Sequence, residues 1–244
     1  MTETSSLRRV LLPIDASRDS ESALEVAFDL AVALGGEVNG LFVEDAELLA
    51  AGRLPFAREV GSLSGIRRPI TSTDMENRLQ TVAHKARDMV LRATQRFKVR
   101  SSFQVSRGDV PSEILIAMTQ ADIAVLGRAG WSSASWRKTG RTCLRLPTLS
   151  PIPMFVVEHG ARLAPPILAV DDGTAAGGRA VDFARELSGR LGWKFAVLKS
   201  SGMSRCDEVL RSIRQEKPSV LVVPSSLPLS ESAPELKSVL LFVP

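Results

Sequence analysis

The sequence predicts an α/β protein, a doubly wound parallel sheet of five strands followed by a second, shortened copy. Three observations carry this expectation. Short, unbroken apolar runs alternate with stretches of helical periodicity. Glycine and proline mark the boundaries between them. The opening strand-helix-strand unit also recurs at a constant spacing of 157 residues.

Residues 10–14, VLLPI, form the continuous apolar run required of a parallel strand covered on both faces, and Pro13 places its end. From Ser20, apolar Ala23, Leu24, Ala27, Leu30, Ala31 and Leu34 recur at helical spacing until Gly35 and Gly36 supply a left-handed stop. A second strand follows at 38–43. Residues 44–72 mix breakers with isolated apolar residues and read as a long irregular connection. Thr73 or Asp74 is then placed to cap a long amphipathic helix with the stripe Met75, Leu79, Val82, Ala83, Ala86, Met89, Val90, Ala93 and Phe97. His84 flanks that stripe as a boundary or surface residue. Residues 102–106 give a third strand, and 108–111 a turn into a helix with Ile114, Leu115 and Met118 inward. A fourth strand covers 123–126 and a fifth 153–157. This alternation implies right-handed crossovers, helices on both faces, and ligands beyond the carboxyl ends of the strands where the strand order reverses.

At the offset of 157, VLLPIDAS (10–17) lies over ILAVDDGT (167–174) without a gap. Ala23, Ala27, Leu30, Leu34, Gly35 and Leu41 meet Ala180, Ala184, Leu187, Leu191, Gly192 and Leu198, and Asp15 coincides with Asp172 just past the strand. The second copy then shortens. A strand at 194–198 leads through one helix near 206–216 to strands at 220–223 and 239–243, omitting the long helix and the third strand. Two domains, 7–160 and 165–244, follow from this division.

A chain that is 44% hydrophobic and 24% charged belongs with packed globular proteins rather than disordered ones. No apolar run approaches the roughly 18 residues of a membrane span, and the start lacks the apolar segment of a signal peptide, so a cytoplasmic location and no membrane partner are expected. Cys143 and Cys206 lie far apart without ligand spacing, and His84 and His159 are the only imidazoles. A disulfide framework, a zinc site and a His-based triad are therefore not expected. The net charge of +4 is scattered over helical patterns, which argues against a nucleic-acid partner. No general base, metal cluster or activated nucleophile stands out, so the reading is a binding or regulatory protein rather than an efficient enzyme.

The chemistry-bearing stretch is GRAGWSSASWRKTG, residues 127–140, which leaves directly from the fourth strand. Glycine lets a backbone approach a ligand closely, and exposed amides at a helix start attract phosphate. Gly127 and Gly130 are placed to turn the chain off the strand, and Gly140 to open the next helix. Basic Arg128, Arg137, Lys138 and Arg141, with hydroxyls on Ser132, Ser133, Ser135, Thr139 and Thr142, surround them. Trp131 and Trp136 either stack on a base or anchor the loop on apolar surface. A phosphate-loop NTPase reading of residues 135–142 fails: Ser135 stands for the first glycine, Arg141 for the lysine, and the segment starts nine residues after its strand.

The spacing Gly127, two residues, Gly130, nine residues, Gly140 is the pattern G-2x-G-9x-G-(S/T), and in it the sequence resembles the nucleotide-binding universal stress proteins. VLLPID at 10–15, LFVED at 41–45, RGDVPSEI at 107–114, ADIAVLG at 121–127 and SPIPMFVV at 150–157 stand in matching order. The resemblance covers about residues 8–158 and, as the shortened copy, 166–244. It implies a Rossmann-like, adenine nucleotide alpha hydrolase-like sheet that holds ATP, with ADP or AMP as alternatives and Mg2+ as an accompanying ion. It further implies that Asp15 accepts hydrogen bonds from the ribose or base, and that backbone near Pro13, Ile14 and Val43 frames the adenine. Gly127, Gly130 and Gly140 would wrap the phosphates beside Arg128, Arg141 and Thr142. The sequence departs from the pattern at Arg141, where Ser or Thr is expected and Thr142 comes one place late, and at Pro147, inside the expected helix. Two alternatives stay open: slow ATP hydrolysis, and a nucleotide-independent scaffold whose pocket Arg141 closes and whose 44–72 connection recruits another protein. The family's pairing through its last strands implies that the second copy is a built-in partner, a pseudo-dimer within one chain, with a homodimer as a further level.

Overall fold

Strand β1 (Arg9–Pro13) carries apolar side chains on both faces and needs cover on both: Val10 and Leu12 join one buried layer, Leu11 the other. The computed structural model describes residues 8–60, 65–128, 146–200, 211, 213, 215–227 and 238–244. Ser17 ends the loop after β1 and caps α1 (Arg18–Leu34), its side chain accepting from Ser20 N, and Gly35 stops the helix in a left-handed conformation at φ 62°. Then come β2 (Glu37–Asp45), α2 (Ala46–Ala51), β3 (Arg58–Val60), β4 (Arg67–Pro69) and α3 (Ser72–Phe97). The first repeat closes with β5 (Arg100–Gly108), α4 (Val110–Met118), β6 (Ile123–Gly127) and β7 (Met154–Val157).

The later residues supply β8 (Ile167–Asp171), α5 (Ala175–Leu191), β9 (Phe195–Lys199), β10 (Val220–Pro224) and β11 (Val239–Val243). All of these strands except β3 and β4, which form a separate hairpin, join one nine-stranded sheet in the order β5-β2-β1-β6-β7-β11-β10-β8-β9. The first five are parallel and doubly wound, as expected, with the order reversing between β1 and β6. One buried layer takes the residues facing α1, α3 and α5, the other those facing α4, and each runs through both halves of the sheet.

The halves meet where β7 and β11 pair antiparallel, Met154 opposite Phe242, Phe155 opposite Leu241 and Val156 opposite Leu240. The ladder registers relate the two strands: Val10 faces Ile123 as Ile167 faces Val220, and Ala124 faces Met154 as Leu221 faces Leu240. Met154, Phe155 and Val156 therefore correspond to Leu240, Leu241 and Phe242. Phe155 sits opposite its own counterpart and the flanking pairs exchange, which is the contact pattern of a two-fold axis.

Several boundaries differ from expectation. The connection at 44–72 is built from α2, capped by Asp45, and the β3–β4 hairpin; both are too short to leave a periodic signal. The long helix is capped by Thr71, earlier than Thr73 or Asp74. Thr71 accepts from Asp74 N and Asp74 Oδ2 accepts from Thr71 N, a reciprocal capping box. The third strand extends to nine residues, because β5 follows β2 residue for residue from Arg100 opposite Glu37 to Gly108 opposite Asp45.

Candidate functional site

At the order reversal the carboxyl ends of β1 and β6 lie side by side, and Pro13, Ile14, Asp15, Gly127 and Arg128 of the sequence-predicted residues stand at these ends. β1 ends at Pro13. The next residue, Ile14, continues the ladder by donating its N–H to Leu41 O at 2.9 Å and is 3% exposed. Asp15 then turns the chain: its Oδ1 accepts from Ser17 N at 3.1 Å. Between them Ala16 holds φ 58°, a left-handed pose that costs a residue with a Cβ roughly 1–2 kcal/mol. That pose delivers the chain into the first turn of α1, where the aligned peptide dipoles make the end of the helix electropositive.

β6 delivers Gly127 to the same place. A Cβ there would lie 2.8 Å from Ser20 N and 2.9 Å from the carbonyl carbon of Asp19. The first turn of α1 rests on this glycine, and that close packing accounts for the residue type without any appeal to positive φ. Arg128 continues the ladder, its N–H donating to Val157 O at 2.8 Å. Its side chain turns inward: it is 5% exposed and its Nη1 lies 3.1 Å from Glu158 Oε2. So placed, the guanidinium braces the ends of β6 and β7 against each other. Gly130, Gly140, Arg141 and Thr142, with Trp131, Trp136 and Cys143, lie outside the described residues. Pro147 sits within the helical turn at 146–149.

Val43 stands one strand further out, half-buried near the carboxyl end of β2 and opposite Ser106 of β5. The Ser106 hydroxyl is, among the described residues, the one buried side-chain polar atom without a hydrogen-bond partner. An orphaned group of this kind costs about 1–3 kcal/mol. Ser106 was not singled out in the sequence, because a serine in an edge strand carries no sign of burial. His159 is exposed with Nδ1 3.3 Å from Arg18 O, and His84 is exposed on α3. Among the described residues there is no group of three His, Cys, Asp or Glu side chains that could hold a metal ion, and no helix long and apolar enough to cross a membrane.

At the opposite, amino edge of the strands, Asp122 ties β6 to the start of β1. It accepts from Arg8 N at 3.0 Å, Arg9 N at 2.8 Å and the Arg9 guanidinium at 3.2 Å. Burial pushes its carboxyl up, but the bonds from Arg8 and Arg9 and the positive charge of Arg9 outweigh that and hold it below the ordinary range.

The second half repeats the frame of the site and changes its contents. Asp172 Oδ1 accepts from Thr174 N at 3.0 Å, as Asp15 does from Ser17, and Thr174 caps α5. The positions matching Ile14, Ala16, Gly127 and Arg128 hold Asp171, Gly173, Pro224 and Ser225.

The model of the universal stress protein family matches residues 6–158. A universal stress protein from Archaeoglobus fulgidus superposes with a TM-score of 0.68 over 96% of this chain and 97% of that one, at 14% identity. A putative universal stress protein from Pseudomonas aeruginosa gives a TM-score of 0.54 over 98% of this chain and 93% of that one, at 12% identity. At such identities the likeness speaks for the fold. A search of curated protein sequences returned no match.

Proposed function

The chain belongs to the universal stress protein family, and from that premise we propose that it is a regulatory binding protein whose first half takes ATP, or ADP or AMP, at the carboxyl ends of β1 and β6. One observation carries the reading: the glycine spacing 127, 130, 140 begins where β6 abuts the first turn of α1, so the loop leaves beside an electropositive helix end. In this reading Pro13, Ile14 and Val43 frame the adenine and Asp15 meets the ribose or base. Gly130, Gly140, Arg141 and Thr142 surround the phosphates, with Mg2+ as an accompanying ion. Gly127 and Arg128 shape the exit of the loop, one by admitting α1 and the other by bracing β6 on β7.

The second half, residues 165–244, acts as a built-in partner rather than a second binding unit. The two-fold register of β7 on β11 supports this pseudo-dimer, because each half covers the edge that the other would leave bare. In keeping with the family premise the protein is cytoplasmic and turns over ATP weakly at most. Calorimetric titration with ATP, ADP and AMP tests the site: saturable heat that disappears in Gly130→Val supports it. Absence of heat with all three favours a scaffold that Arg141 has closed.

A further inference from the structure

We propose that the exposed face of strands β3 and β4, with the described residues beside it, is a docking surface for an anionic lipid bilayer. The inference is independent of the nucleotide site. The hairpin register sets Arg58 opposite Pro69, Glu59 opposite Arg68 and Val60 opposite Arg67. Side chains alternate across a strand, so Glu59 and Arg68 share one face while Arg58, Val60, Arg67 and Pro69 share the other. The first face is occupied by ion pairs, since Glu59 holds both Arg68 and Arg78 of α3. All four residues of the second face are exposed.

Along the same stretch of chain the apolar exposure is dense. Phe56 is 75% exposed, Ile66 61% and Val60 60%, and Leu54 is exposed as well. Four of the ten large apolar side chains exposed among the described residues thus fall within positions 54–66. Charge concentrates with them. Across 53–60 and 65–69 the single described carboxylate, Glu59, is neutralised by Arg68 and Arg78, which leaves Arg53, Arg58 and Arg67 as the exposed positive charges of this stretch.

Apolar tips set among guanidinium groups match the boundary of an anionic bilayer, where the tips enter the headgroup layer and the arginines meet lipid phosphate. A polynucleotide would call for stacking rings, whereas three of these four apolar residues are aliphatic. A folded protein would call for about 800 Å² of complementary surface per partner, more than strands of three residues present, while a bilayer requires no fitted shape. The sequence-based expectation of no membrane partner rested on the lack of a spanning segment, a criterion that does not bear on surface docking.

The test is flotation of the full chain with vesicles of phosphatidylcholine alone and of phosphatidylcholine and phosphatidylserine in equal parts. Binding is expected only to the second kind and weakens as salt rises. Arg58→Glu with Arg67→Glu lowers the bound fraction at least about tenfold. Phe56→Ser with Val60→Ser lowers it several-fold and leaves its salt dependence in place. Lys85→Glu with Arg92→Glu on α3 makes the same charge change and leaves binding intact. Equal binding to both vesicle types, binding to neither, loss in the α3 control as large as in the hairpin variants, or retention on an RNA oligonucleotide with none on the phosphatidylserine vesicles overturns the proposal. All of these side chains are exposed, so an unchanged thermal melt separates lost docking from lost folding.

Discussion

The two halves of the sheet share one frame and differ in what it holds. At the offset of 157, helix 18–34 becomes helix 175–191 with identical length, Ser17 becomes Thr174 at the N-cap, and Gly35 becomes Gly192 at the left-handed stop. Asp15 and Asp172 close the same turn. This equality teaches that the aspartate after the first strand is an element of the fold. It persists in a half that has no glycine loop, so its presence alone does not signal a nucleotide.

The differences follow from what each half must cover. In the first half α3 lies over α1, and Phe28 is fully buried with its ring 5.5 Å from that of Phe97. Among the described residues the second half shows no counterpart of α3 or of the strand beside it, and Phe28 is replaced by Arg185, an exposed residue that pairs with Asp182 and sits 6.0 Å from the Phe195 ring. β9 accordingly lies half open where β2 is buried, with Val197 exposed at the position of Gly40. At the site the small residue changes sides: Gly127 with Ser20 in one half becomes Pro224 with Gly177 in the other.

Substitutions at matched positions break this comparison if the halves respond alike. The largest effect is expected at Phe28→Ala, which should cost about 3–5 kcal/mol in a urea melt, while Arg185→Ala stays within about 0.5 kcal/mol of wild type. Gly127→Ala should cost about 1–3 kcal/mol, since the new Cβ meets the backbone of α1, which cannot swing aside. Smaller and of opposite sign are the changes at the turn. Ala16→Gly relieves a left-handed alanine and stabilises by up to about 1 kcal/mol, whereas Gly173→Ala, at φ 80°, destabilises by about 1–2 kcal/mol. The smallest is a pH effect. The Asp122 carboxyl is held below its unfolded value near 3.9, so its contribution is present above that pH and is lost as pH falls through the lower folded value. Asp122→Asn should flatten the fall in stability as pH drops below about 4.

Much of the frame was legible because it rests on periodicity and caps. The run 10–14, the stripe from Ala23 to Leu34 and the glycine stop recur where the structure places β1, α1 and their counterparts β8 and α5. The rest depended on signals that are short or not coded by residue type. Thr71 and Asp74 do spell a capping box, but Ser72 and Thr73 are equally good caps by type. β5 is an edge strand of alternating exposure, so its ends carry no apolar mark. The strain at Ala16 is invisible in an alanine, yet Gly173 at the same offset was a readable hint that the turn runs left-handed. Of the candidate site, the strand ends at Pro13, Ile14, Val43 and Gly127 could be placed by pattern. The inward turn of Arg128 toward Glu158 and the orphaned Ser106 hydroxyl could not, because burial depends on packing between distant elements.

The central claim is that the first half holds a nucleotide and the second does not. Equilibrium dialysis of the whole chain against labelled ATP counts the sites directly. The account predicts saturation at one nucleotide per chain, abolished by Gly130→Val and untouched by Asp172→Asn; two per chain, or none, would contradict it.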